Sequence, residues 1–395
     1  DATRSASTPD LFRTKCGATA SAQTTMMVMD AVSLVWNPTD DFTLAMLGRA
    51  HQTTGSIDVR RGTLCLTGAC SIASVPAISL GAGARLVQAS TLANALAGLE
   101  RLTLGAGARA EFAAAVENCP KAVVTLGAGA QLALPAGTEL HVAAVCANGA
   151  YVANGEYEGV GWIDGAGKVV VDPGTIAFWK AAVDGNWSDA TKWADGSVPG
   201  ATCTRVCFTM STADDYVVTV DEPIDALKGD LLVGNDGGGL ATLRLAADLT
   251  VTQATVTVSK GGLIDVPTGT TFTFIGAEGK FSSTGSPSGS VNDYPASERR
   301  DILIRDGGEW RTSGGTTVIT NFCGKFQVSG ASQESVGKFS MTSGTVIFMD
   351  HGSLFPLTVL PNGQVDFTGG IFCLPHNGYN HMTDLANSGG LVRLK

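Results

Sequence analysis

The chain has 395 residues, of which 16% are charged and 44% hydrophobic, with 26 Lys+Arg against 36 Asp+Glu for a formal net charge of −10. The apolar share argues against disorder, and the acidic balance without any basic run argues against a nucleic-acid-binding role. No stretch of 18 apolar residues exists, so no helix is expected to span a membrane.

Residues 1–52 are read as a strand or cap segment. The run 24–36 is apolar and strand-like. It could close its own coil, or add to the end of a neighbouring copy by strand addition. The chain starts at Asp1 without an initiator Met, as a mature end left after processing would.

Residues 53–172 carry a repeat. Leu80, Leu104 and Leu126 each open a Leu-Gly-Ala-Gly-Ala phrase, at intervals of 24 and 22 residues. That period suits one coil of a β-solenoid. Ahead of each phrase apolar residues alternate, as in Leu102, Thr103 and Leu104, which is the period of a strand with every second side chain pointing inward. The Gly-Ala-Gly then supplies the corner. Residues 89–118 have helix-forming composition in places, and an α/β leucine-rich-repeat-like horseshoe is the alternative there.

A punctuated zone follows, and a unit boundary is placed near residue 173. Tyr151-Val-Ala-Asn-Gly-Glu-Tyr157 leads to Trp162-Ile-Asp-Gly-Ala-Gly-Lys168, and Trp179, Trp187 and Trp193 fall within fifteen residues. The Trp cluster offers flat faces on which a sugar ring could stack. The competing reading is an aromatic staple that caps the next coil, with the indole bodies buried.

These phrases resemble repeat units of large secreted bacterial proteins of the autotransporter-passenger type. The stretch 179–200 is similar to the start of such a unit and 151–171 to its closing segment. The resemblance implies a right-handed β-solenoid, export, and a surface or extracellular role. It implies no activity, and the chain shows no evident translocator barrel of the kind true autotransporters carry.

Residues 173–395 are read as the second solenoid part. Alternating segments such as Val217–Val220, Thr271–Phe274 and Thr345–Phe348 are separated by Gly-Gly, Asn-Gly and Asp-Gly turns. Gly/Asp/Asn phrases recur ahead of strands, at Lys260, Asp306 and Pro361. The polar run 282–290 is expected to be a loop leaving the coil. The densest charge run, with Glu298, Arg299, Arg300 and Asp301, could line a substrate groove or form a solvated salt-bridged edge.

Nine cysteines contain no Cys-x-x-Cys pair, and only five His are present, so no metal or other cofactor is expected. His376, His381 and Asp384 form a polar loop that lacks a third His close by. In an exported chain disulfides could join Cys65 with Cys70, Cys119 with Cys146, Cys203 with Cys207, and Cys323 with Cys373, leaving Cys16 over. Small buried hydrophobic cysteines are the alternative.

The fold expected is therefore all-β, a β-solenoid in two tandem parts. Two functions stand open. One is a secreted or cell-surface structural protein, a filament, sheath or adhesin subunit that self-associates through its coil ends and could meet surface glycans. The other is a polysaccharide-binding or polysaccharide-degrading β-helix, which needs convergent carboxylates and Arg or Lys along one groove.

Overall fold

In the computed structural model, the described residues are 28–29, 34–41, 43–47, 52–53, 55–113, 116–200, 202–276, 300–320, 326–349, 357–373, 386–387 and 389–394. Strands dominate, and the one helical element among these residues is a single 3₁₀ turn, Ala190–Lys192. The chain divides into two compact units, which meet at Gly174 and Thr175. Both are β-solenoids of stacked parallel strands.

In the first unit the chain alternates between a front and a back sheet. Ile57–Val59, Ala77–Leu80 and Arg101–Leu104 lie in the front sheet. Thr63–Gly68, Arg85–Ser90 and Arg109–Phe112 lie in the back sheet, so each coil contributes one strand to each. Registers are parallel, and equivalent residues of successive coils face each other. Leu34, Ile57, Ile78, Leu102, Val124 and Val145 form one inward column of ladder partners. All six are buried, and each such side chain contributes roughly 1.5–3 kcal/mol by leaving water.

The Gly-Ala-Gly-Ala phrases are the corners between the sheets. In each, the last Ala N–H donates to the first Gly carbonyl at 3.0 Å, which closes a four-residue turn. The second Gly has φ of 67°, 64° and 69° at Gly83, Gly107 and Gly129. A type II turn requires positive φ at that position. The first Gly answers a different need. Its N–H bonds the coil before it, as Gly105 bonds the Leu80 carbonyl at 2.7 Å. A Cβ at Gly105 would stand 2.9 Å from the Leu80 oxygen.

The helix-like composition of 89–118 does not make a helix. Residues 91–98 form turns, and the flanking residues join Arg85–Ser90, Arg109–Phe112 and Val116–Leu126. Stacking on neighbouring coils overrides the local propensity. Of the N-terminal run, Val28–Met29 ladders onto Gln52–Thr53 and Leu34–Trp36 onto Ile57–Val59. This part of the segment is thus built into its own chain's coils.

The second unit has an eight-stranded sheet and a twelve-stranded one. The latter bends along two long strands, Glu309–Thr320 and Gly337–Met349, whose two halves ladder with different partners. Coils here therefore have three sides. One inward column runs Val218, Leu243, Ile264, Trp310, Phe339, Val365. It turns aromatic in the later coils: Trp310 meets Phe272 at 4.6 Å between ring centroids, and Phe339 meets Phe326 and Phe367, both at 5.1 Å. The polar run 282–290 lies outside the described residues. The coil closes around its position regardless, since Val256–Val258 ladders directly onto Ile302–Ile304.

The corner geometry sets an expected order of sensitivity. Gly105→Ala should cost about 1–3 kcal/mol by forcing a methyl into the backbone beneath it. Gly107→Ala should cost roughly 1–2 kcal/mol because Ala must adopt positive φ. Gly161→Ala should stay within about 0.5 kcal/mol, since nothing lies within 4 Å of its Cβ position. Chemical-denaturation midpoints of the three variants measure this order; equal losses at Gly105 and Gly161 would refute the stacked-corner account.

Candidate functional site

Parallel stacking places outward side chains in columns as strictly as inward ones. On the second unit, Arg244, Asp265, Arg311, Ser340, Asp366 and Arg393 are successive ladder partners on one outer face. Asp265 sits between two cations. It accepts from Arg311 Nε at 3.1 Å and from Ser313 Oγ at 2.7 Å, and Arg244 Nε lies 3.5 Å away. Burial alone would raise its pKa, but the Arg311 and Ser313 bonds and the Arg244 charge outweigh that and hold it below the usual aspartate value. Glu309 and Lys338 pair at 3.4 Å in the adjoining column, and Asp366 pairs with Arg393 at 3.1 Å.

The back sheet of the first unit carries a similar network. Glu111 accepts from Arg85 and, at 3.1 Å, from Arg109, which also bonds Asp164. These carboxylates and guanidinium groups are mutually neutralised. Such exposed pairs contribute little stability.

One carboxylate is different. Glu117 is fully buried. Its partners are two neutral donors, the Leu96 N–H at 2.9 Å and the Gln88 side-chain amide. Gln88 is itself buried and accepts from the Ser90 N–H at 2.7 Å, and Ser90 Oγ donates to the Cys70 carbonyl. The nearby Asn118 N–H donates to Asn94 Oδ1 at 3.1 Å, and the Cys119 thiol to the Leu96 carbonyl at 3.4 Å. The network fastens the 91–99 segment to strand Val116–Leu126. Burial pushes the Glu117 pKa up, against the pull of its two donors.

The structure decides several of the residues singled out from the sequence. Trp179, Trp187 and Trp193 are buried, and their rings pack edge-on against one another at 5.2 Å and around Phe208. Two indole N–H groups are spent on backbone carbonyls, Trp193 to Trp187 at 2.8 Å and Trp179 to Val183 at 3.1 Å. No indole face is open for a pyranose, so the sugar-stacking expectation is corrected in favour of the cap. Arg300 Nε bonds the Gln253 carbonyl at 2.6 Å, and the Asp301 carbonyl accepts from the Val256 N–H. Both therefore tie their segment to the preceding coil. Glu298 and Arg299 lie outside the described residues, as do His376, His381 and Asp384.

Cys65, Cys70, Cys119, Cys146, Cys203, Cys207 and Cys373 are free thiols. The Cys119–Cys146 pairing is ruled out by register. Cys119 faces Val142 in the ladder, four residues short of Cys146, a distance of about 13 Å along the strand where a disulfide needs Cα atoms within about 7 Å. Cys65 points outward between the inward Leu64 and Leu66 whereas Cys70 is buried, and the Cys203 thiol donates to the Arg205 carbonyl at 3.0 Å. Burial pushes Cys70 up to about 11, with Cys65 adding to the shift, and Cys207 up to about 12. Cys16 and Cys323 lie outside the described residues. Among the described residues no group of three or more His, Cys, Asp or Glu is arranged to hold a metal ion, and no helix is long and apolar enough to cross a membrane.

The coil ends differ in finish. The last front-sheet ladder strand of the first unit, Lys168–Val171, is covered by the antiparallel Gly155–Tyr157. The first coil of the second unit carries the Trp cap, with an antiparallel bridge between Trp179 and Trp193. Among the described residues no strand pairs the outer edges of Ile371–Cys373, Ala386–Asn387 and Leu391–Leu394, nor those of Leu34–Trp36 and Thr43–Leu47, and beside the two caps Ile163–Asp164, Ile176–Phe178, Gly185–Asn186 and Ile224–Leu227 likewise pair on one side alone. Ile371 is 60% exposed and Leu391 48%.

Comparison of the chain with protein-family models, with curated proteins and with solved structures gave no match.

The Arg244–Arg393 column went unnoticed in the sequence, yet a signal for it is present. Gly262, Gly308, Gly337, Gly363 and Gly390 each stand three residues before a column member, Asp265, Arg311, Ser340, Asp366 and Arg393. The glycine marks the corner, and the third residue after it must face out.

Glu117 yields a pH prediction. Its folded pKa lies above the ordinary Glu value of 4.5, so the folded chain binds this proton more tightly than the unfolded one. The associated stability is present below pH 4.5 and is lost as pH rises toward the raised value. Glu117→Gln should flatten that part of the stability–pH curve. It should also lower stability at acid pH, because the new amide sets a donor against a donor. Denaturant midpoints from pH 4 to 8 for both proteins provide the comparison, and an unchanged slope would rule out a titrating buried carboxylate.

Proposed function

We propose that the protein is an exported or cell-surface structural subunit that assembles head to tail through its coil ends. The observation that carries this reading is the presence of parallel edges, two of them with an exposed Ile371 or Leu391, that no strand covers among the described residues. An antiparallel strand and a tryptophan cluster finish one end of each unit. The parallel edges at Leu34–Trp36 and at Ile371–Leu394 have no strand beside them among the described residues. A parallel edge is a template for one more parallel strand. Edges of opposite sense on one chain give a heterologous contact, which propagates instead of closing.

Exposed Ile371 and Leu391 support the same reading, because they place apolar surface on edge strands where a monomer would gain from charge. The location rests on the resemblance of 151–200 to exported passenger repeats and on the composition. Filament, sheath and adhesin are forms of this one assembly.

Sedimentation velocity over a hundredfold concentration range tests the assembly. The chain should pass from monomer to a growing series of oligomers. Ile371→Lys with Leu391→Lys should hold it monomeric with an unchanged far-ultraviolet spectrum. A wild-type chain that stays monomeric throughout, or a variant that polymerises like wild type, would overturn the reading.

A further inference from the structure

The outer face of the second unit that carries Arg244 and Arg311 shows solvent a different charge from the one its composition suggests. Its two columns hold four cations and three anions. In the ion pairs the anion is the more buried partner. Arg244 is 50% exposed over Asp265 at 6%, and Arg393 is 47% exposed over Asp366 at 16%. The carboxylates lie against the sheet, and the cations stand above them. In a chain of net charge −10 this is a cationic strip built over buried acids.

The way the cations are held matters as much. Arg244 and Arg311 both turn Nε toward Asp265, at 3.5 and 3.1 Å. A guanidinium anchored at Nε has its outer pair of N–H groups left to form a fork for a carboxylate. Asp265 thus fixes the Arg311 fork in place before any ligand arrives, which lowers the entropy lost on binding, and draws Arg244 toward it by charge. With strands about 4.8 Å apart, Arg244 and Arg311 sit about 10 Å apart along the stack, and Arg393 about 14 Å further on. Lys338 falls between them, one coil after Arg311.

We infer that this face binds an acidic linear polysaccharide, one that carries carboxylate groups along its length and lies parallel to the stack of coils. A polymer fits better than a single small anion because cations recur from coil to coil with no pocket-like convergence on one point. A polysaccharide fits better than a nucleic acid because the cationic excess on the face is a single charge, far short of what phosphate-backbone binding draws on. The outward positions of these two columns also bear no aromatic side chain for bases to stack on. This face reaches the edge strand Leu391–Leu394 through Arg393, and its Arg244, Arg311 and Lys338 lie on earlier coils and require no polymerisation.

Binding of the full chain to polygalacturonate is the test, measured by affinity electrophoresis and by calorimetry at low and moderate salt. Neutral dextran and oligothymidylate serve as comparison ligands. Wild type should bind polygalacturonate, bind it less at higher salt, and be indifferent to dextran. The triple variant Arg244→Gln, Lys338→Gln, Arg393→Gln should bind at least about tenfold more weakly, as expected for losing one or more charge-assisted contacts. It keeps Arg311, so Asp265 retains its partner and the β-rich spectrum should hold. Arg85→Gln on the first unit, outside the two columns, should leave binding unchanged. Absence of binding by wild type, equal binding by the triple variant, or oligothymidylate binding as tight as polygalacturonate binding would each overturn the proposal. An Ile371→Lys variant, whose position lies outside both columns, should still bind polygalacturonate, so failure of the assembly reading and failure of this one are told apart.

Discussion

Coil-on-coil parallel stacking is the constraint from which the rest of this structure follows. Each residue of a strand faces the equivalent residue of the next coil about 4.8 Å away, so whatever a position carries is repeated along a column. Inward columns must then be apolar throughout, as Leu34 to Val145 are in the first unit. Corners must be narrow enough for one backbone to rest on another. The Gly-Ala-Gly-Ala phrase meets two demands with two glycines, one through its missing Cβ and the other through positive φ. Where three sides replace two, the same logic persists. The wider coils of the second unit fill their larger interior with Trp310, Phe326, Phe339 and Phe367, whose contacts at 4.6–6.5 Å fall in the range aromatic pairs prefer.

The same constraint governs charge. A column of like charges at strand spacing would repel along its whole length. The outer face of the second unit avoids this by alternating Arg244, Asp265 and Arg311, then inserting Ser340 before Asp366 and Arg393. Alternation also sorts the pair by depth. A carboxylate is short and stays near the backbone, while Arg and Lys reach past it and keep their heads in water. The result is a surface more cationic than a count of its residues conveys. Glu117 shows the opposite case, an inward acid that meets no cation and relies on Leu96 and Gln88. Burial raises its pKa, and these two neutral donors offset that only in part.

Much of the fold was legible in the sequence because repetition writes itself into spacing. The 24- and 22-residue intervals and the Leu-Thr-Leu alternation specify strand, corner and coil without reference to anything distant. The buried Trp trio was readable only as two alternatives, since a flat indole suits a sugar or a core equally and burial is settled by the fold. The charge column was hidden for a different reason. Between Asp265 and Arg311 the sequence is interrupted by the long 277–299 stretch, so the coil spacing swells to 46 residues and the periodicity breaks. Only the glycine corner three residues ahead keeps the register. The Cys119–Cys146 pairing failed because proximity in sequence says little about facing: the two share neighbouring strands but stand four positions apart along them.

Regular stacking has a cost, which is that every coil is a competent template for the next. A solenoid must be stopped, and the two units stop one of their own ends by distinct means. The first reverses chain direction, so that Gly155–Tyr157 lies antiparallel on Lys168–Val171 and Glu156 joins Glu139 around Lys168. The second inserts bulk, with three tryptophans and Phe208 filling the mouth of the first coil and their N–H groups turned back onto the chain. Among the described residues neither device stands at Leu391–Leu394 or Leu34–Trp36. If these edges were merely tolerated in a monomer, the outward positions nearest them would be expected to carry charge or proline. Ile371 and Leu391 present apolar side chains to water, beside the charged Arg393 on the last of these strands. In each unit backbone groups are thus left at the edge strands, and the side-chain columns run across successive coils.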